Sequence, residues 1–145
     1  MKAKKQVDAV YTDMRAAFDK VDQKILLKKL QRLGIVGNAL KWVESFLVNR
    51  KLIVKVKNYE SYEFVATSGV PQRSHCGPLF FILMINDLAT VVKFSEISLF
   101  ADDFKVYKVI ADINDHLKLQ YDLHQIQSWA TENCFELVSH FFLYK

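Results

Sequence analysis

Apolar residues recur along this chain in short stretches, and the spacing within each stretch predicts its secondary structure. Val7 to Thr12 is a run of strand length that ends at Asp13. From Asp22 to Leu33 the spacing turns helical: Leu26, Leu27, Leu30 and Leu33 form one stripe, and Lys24, Lys28, Lys29 and Arg32 lie off it. Gly34 supplies a stop for that helix. A second helix is predicted over about Asn38 to Val48, with Leu40, Val43, Phe46 and Leu47 on one face. Leu52, Val54 and Val56 then alternate with Ile53, Lys55 and Lys57, a strand that turns at Asn58 to Ser61 and returns through Tyr62 to Ala66.

Thr67 to Pro78 is a loop that holds both prolines of the chain. Pro78 suits the first turn of a helix, and Leu79 to Ile85 is apolar all round, which predicts a buried helix. A hairpin follows over Ile97 to Ile110, with Asp102 and Asp103 at its tip. The last helix spans about Ile113 to Asn133, with Leu119, Leu123, Ile126 and Ala130 on one face. Helices and hairpins alternate irregularly, which predicts an α+β fold, a small antiparallel sheet backed by helices.

At 145 residues the chain has room for a single domain, residues 1 to 145, with a real core. Its longest apolar run, Pro78 to Ile85, is far short of the roughly 20 residues that span a bilayer. No secretory leader opens the chain, and Cys76 and Cys134 stand alone, so a reducing, intracellular setting without membrane association is expected. The net charge of +4 conceals an asymmetry of +9 over residues 1 to 57 and −5 over residues 58 to 145. A basic half beside an acidic half suits a protein that grips a polyanion on one side and cations on the other; lysines solvating two helix faces explain it equally well.

Adjacent carboxylates at a turn, taken alone, mean only that the turn faces water. A third acid, Asp13, also ends an apolar run, and converging strand-end carboxylates repel unless a cation sits between them. Mg²⁺ takes oxygen ligands and keeps positions for phosphates, the arrangement that two-metal phosphoryl transfer requires.

Three segments resemble reverse transcriptases, most closely those of non-LTR (LINE, jockey-like) retrotransposons. Val10 to Asp22 resembles the first palm motif, Ser68 to Leu79 the template-and-nucleotide loop, and Leu99-Phe100-Ala101-Asp102-Asp103 the catalytic hairpin. The likeness covers about residues 7 to 133, and residues 134 to 145 read as a divergent tail. It implies the palm of a right-hand polymerase with part of the fingers, with the upstream fingers segment and the thumb expected to be missing. It implies two Mg²⁺ (or Mn²⁺) ions held by Asp13 and Asp102, with the Met14 carbonyl assisting and Asp103 shaping the hairpin. Phe18 would exclude a 2′-hydroxyl, and Gln72 would contact the templating pair; outside the family pattern Phe18 is a core aromatic and Gln72 a solvated loop residue. Arg73 stands where the family places glycine, beside the nucleotide. Arg50, Lys51, Lys55 and Lys57 would contact nucleic-acid phosphates, or simply guard an exposed strand edge. The partners implied are an RNA template, a DNA primer and deoxynucleoside triphosphates. The expected activity is RNA-directed DNA synthesis, absent from the isolated chain. The alternatives are a non-catalytic nucleic-acid-binding remnant and a protein-interaction scaffold.

Overall fold

The computed structural model describes residues 6–144, and side chains as far as Val138. They form two compact units, one of residues 6–17 with 85–144 and the other of residues 18–84.

The first unit is built on a four-stranded antiparallel sheet. Its strands are β1 (Gln6–Met14), β6 (Glu96–Phe100), β7 (Asp103–Ile110) and β8 (Leu137–Tyr144), in the order β6-β7-β1-β8. Because side chains alternate across a strand, Val10, Thr12 and Met14 share a face with Phe104 and Val106, and all five are buried. The opposite face carries Tyr11, Asp13, Asp103 and Lys105. Helix α6 (Ile113–Glu132) packs against β7 and against the short α5 (Leu88–Val91), burying Leu119, Ile126, Trp129 and Ala130. The predicted stripe was one position too narrow, since Asp122 and Trp129 belong to the buried face as well and Leu123 lies at its border.

After α6 the chain turns back into a further strand, Leu137–Tyr144. The Asn133 side-chain amide donates to the Trp129 carbonyl at 2.7 Å, Cys134 takes φ +62°, and Phe135 N–H returns to the Ala130 carbonyl at 2.8 Å. That reversal ends α6 in the usual left-handed cap and sends the chain into β8. β8 then pairs with β1 from Val7 opposite Tyr144 to Met14 opposite Leu137. A segment with three aromatic residues pairs along the edge of β1 and satisfies its backbone groups.

In the second unit Asp22 accepts the N–H of Ile25 at 2.9 Å and so caps α2 (Gln23–Arg32). Gly34, at φ +90°, closes it, and α3 (Gly37–Leu47) packs back on α2. The predicted hairpin divides in two. β2 (Lys51–Leu52) pairs with β5 (Phe64–Val65), and the outer β3 (Lys55–Val56) with β4 (Tyr59–Glu60). Helix α4 begins at Cys76, earlier than predicted, and runs to Ile85. Its Phe80, Phe81 and Met84 are buried, but Leu79 and Ile82 are 53% and 54% exposed. A helix apolar all round need not be covered all round; only the flank that meets Phe18 and Phe46 is. The remaining helix, α1 (Ala17–Lys20), is a single turn. Among the described residues no helix is long and apolar enough to cross a membrane.

Candidate active site

Two rows of side chains cross the open face of the first unit's sheet. Asp103 pairs with Asp13 on one side and Phe100 on the other, while Lys105 pairs with Tyr11 on one side and Ser98 on the other. The β6–β7 turn is only Ala101 and Asp102. Ala101 takes φ +53°, a turn conformation glycine usually occupies. The Asp102 carbonyl accepts the N–H of Met14 at 3.3 Å, which ties the turn to the end of β1. The three acids are therefore gathered at one end of one sheet, Asp13 and Asp103 exposed and Asp102 half-buried. The Met14 side chain points into the core. A groove of about 480 Å³ runs along this face, lined by Tyr11, Asp13, Ser98, Phe100, Asp103 and Lys105 among others.

Among the described residues no basic side chain pairs with any of the three acids. Like charges placed directly across a ladder are destabilising, so a cation is the natural complement. No three His, Cys, Asp or Glu side chains among the described residues are grouped closely enough to hold an ion by themselves.

In the second unit the loop after β5 is fastened to the segment Phe18–Val21. Val70 N–H donates to the Phe18 carbonyl at 2.9 Å and Gly69 N–H to the Val21 carbonyl at 2.8 Å. Ser68 Oγ donates to the Asp19 carbonyl at 2.8 Å, and Gln72 Nε2 to the Asp19 carboxylate at 2.7 Å. Gln23 Nε2 and Arg50 Nη2 both donate to the Gly69 carbonyl, at 3.2 and 2.9 Å. Phe18 is half-buried, its ring stacked on Phe81 with centroids 4.6 Å apart. Arg73 is exposed at φ +59°. The glycine expected there would meet a backbone demand, the left-handed region, as well as a demand for space.

The four basic residues singled out from the sequence are differently placed. Arg50 donates to the carbonyls of Leu47 and Gly69 and more distantly to that of Ser68. Burial draws its pKa below the usual guanidinium value, against the pull of Asp19. Lys51 pairs with Glu63 at 2.7 Å and Lys55 with Glu60 at 2.9 Å. Lys57 occupies the turn between β3 and β4 at φ +56°. Asp19, Gln23 and Gly69 escaped the sequence reading, although two of them lie within the quoted motifs. Their work is to join those motifs to one another, which no spacing reports.

Residues 1–140 match the reverse transcriptase (RNA-dependent DNA polymerase) family. The chain belongs to that family. Among curated relatives it is 31% identical over 138 residues to the RNA-directed DNA polymerase from the mobile element jockey of Drosophila melanogaster, covering 90% of this chain and 15% of that protein. It is 35% identical over 85 residues to a probable RNA-directed DNA polymerase from transposon BS of the same organism, covering 59% of this chain and 9% of that one. The chain thus spans a small part of the length of the curated relatives it matches. Among solved structures, telomerase from Candida tropicalis in complex with a TWJ fragment of telomeric RNA gives a TM-score of 0.73 at 13% identity, covering 99% of this chain and 27% of that one. Telomerase from Candida albicans in the corresponding complex gives 0.70 at 16% identity, covering 94% and 28%. At such identities the likeness is one of fold, the palm-type fold of a right-hand polymerase. Reverse transcriptases generally use divalent metal ions.

Proposed function

We propose that this chain carries the palm of a mobile-element RNA-directed DNA polymerase, extending a DNA primer on an RNA template from deoxynucleoside triphosphates. One observation carries the proposal: Asp13 faces Asp103 across the ladder, with Asp102 in the adjoining turn, in a chain that matches the family over residues 1–140. Asp13 and Asp102, with the Met14 carbonyl, would hold two Mg²⁺ or Mn²⁺ ions. When bound, such ions lower the pKa of an attacking hydroxyl and neutralise a leaving pyrophosphate. Asp103 would shape the hairpin beside them. Phe18, braced on Phe81, would stand under the sugar and reject a 2′-hydroxyl. Gln72, held by Asp19, would meet the nascent pair. Lys51, Lys55 and Lys57 would meet phosphates, with the two glutamate-paired lysines exchanging partners to do so.

Nucleic-acid binding without catalysis is the second reading. It is favoured by Arg73 in the left-handed region, where the family carries glycine. The test grafts residues 7–133 into an intact related enzyme, with and without Arg73→Gly, and assays primer extension on RNA template with Mg²⁺. Extension by the reverted graft, lost in Asp102→Asn, is the expected result. The isolated chain should not extend, because misplacement of reactants by about 1 Å can cost on the order of 100-fold. A folded reverted graft no more active than its Asp102→Asn form would leave the second reading standing.

A further inference from the structure

Lys105 is a cation built into the acidic face. It lies on β7 two residues beyond Asp103, so its side chain emerges on the same side of the sheet, about 7 Å further along the strand. Its ammonium sits 4.9 Å from the ring centroid of Tyr107 and 5.8 Å from that of Tyr11. Tyr11 is its direct partner on β1 and Ser98 its direct partner on β6, so the lysine stands in mid-sheet with support from both neighbouring strands. Ammonium groups are held over aromatic faces by the ring quadrupole, which fixes the position of the charge without neutralising it. Among the described residues Lys105 forms no ion pair, and it lines the same groove as Asp13 and Asp103. Lys51 and Lys55, by contrast, already have glutamate partners.

We infer that Lys105 is a positioning residue that grips a backbone phosphate of the strand whose 3′-hydroxyl is presented to Asp13 and Asp102. The inference rests on the polymerase reading above. Two strand residues span a distance of the order of one nucleotide along its backbone, so a hydroxyl placed beside Asp103 brings the preceding phosphodiester to Lys105. Tyr11 and Tyr107 would keep the ammonium from collapsing onto the acids, leaving these free for metal.

The experiment measures binding of the full chain to a fluorescein-labelled DNA primer annealed to an RNA template, by anisotropy over a range of salt. Lys105→Gln should weaken binding about tenfold at low salt and lower the slope of log K against log salt by about 0.9, the share of one phosphate contact. Lys105→Arg should keep most of both. A primer whose terminal linkage is a neutral methylphosphonate should cost the wild type as much as Lys105→Gln does, and should cost that variant nothing further. Circular dichroism of each variant keeps a folding defect apart from a lost contact; if Lys105→Gln misfolds, Lys105→Arg and the methylphosphonate primer still decide. An unchanged slope in folded Lys105→Gln, or full sensitivity of that variant to the methylphosphonate, overturns the role of Lys105 and leaves the polymerase reading intact. Absence of salt-dependent binding by the wild-type chain overturns both. A gain in Mg²⁺ affinity in Lys105→Gln with no loss of primer binding would show instead a counter-ion for the acids.

Discussion

Gly69 lays its bare α-carbon against the backbone of Asp19. A β-carbon added at Gly69 would come within 3.0 Å of the Asp19 α-carbon and of the Phe18 carbonyl oxygen, and the residue holds φ +81°. Both strain and close approach therefore demand glycine. Gly69→Ala should cost more than about 1 kcal/mol by denaturant titration. It should also disturb Gln72, whose amide depends on Asp19. Loss of less than a few tenths of a kcal/mol would show that the loop yields easily.

Arg73 presents the reverse case. An arginine at φ +59° bears a left-handed backbone that glycine adopts freely. Arg73→Gly should stabilise the chain by up to about 1 kcal/mol in urea, and Arg73→Ala should not. Equal stability of all three would remove backbone strain as the reason for the family's glycine.

Asp13 and Asp103 repel across the β1–β7 ladder. Without divalent ions, Asp13→Asn should raise stability by about 0.2–1 kcal/mol. With Mg²⁺ at about ten times its Kd the wild type should gain about 1.4 kcal/mol and the variant nothing. Thermal melts with and without Mg²⁺ read both. Identical Mg²⁺ responses would mean that Asp13 holds no ion.

Asp122 is fully buried on α6 and accepts the N–H groups of Lys93, Phe94 and Ser95 at 2.7–2.9 Å. Asp122→Asn keeps the shape but turns an amide group toward donors. A loss of about 3 kcal/mol is expected, with faster hydrogen exchange at those three amides. Unchanged exchange there would mean that water replaces the carboxylate.

Asp115 accepts the N–H of Ala111, and chiefly for that reason its carboxyl titrates below the usual range; Lys118 and Lys108 add to the effect. A depressed pKa contributes stability that is complete above the unfolded value of about 3.9 and is lost as pH falls through the lower folded value. The stability difference between wild type and Asp115→Asn should be flat from about pH 7 to 5 and shrink below about pH 4. A difference that persists unchanged into acid would assign the effect to packing.

The elements with strong periodicity were legible: β1, α2, α3, the β6–β7 hairpin and α6 all stand near their predicted places. Local chemistry marked their ends, as at Asp22 and Gly34. β8 was not legible, because Leu137–Tyr144 is strand only through its pairing with a segment about 130 residues earlier. The exposure of Leu79 and Ile82 was hidden for a like reason, since composition shows that a helix is apolar and not which flank has neighbours. Within the candidate site, the position of the acids at strand ends was legible. The contact of Lys105 with Tyr11 was not, because it crosses the ladder.

The place of β1 between β7 and β8 also sets an order of events. Its partners are residues 103–110 on one side and 137–144 on the other, so the strand bearing Asp13 leaves the ribosome long before either. Pairings so distant in sequence form slowly and leave unpaired edges open meanwhile. The sheet of the first unit cannot close during synthesis until β8 has emerged, so the strand that carries Asp13, made before both of its partners, is among the later parts of this sheet to be fixed.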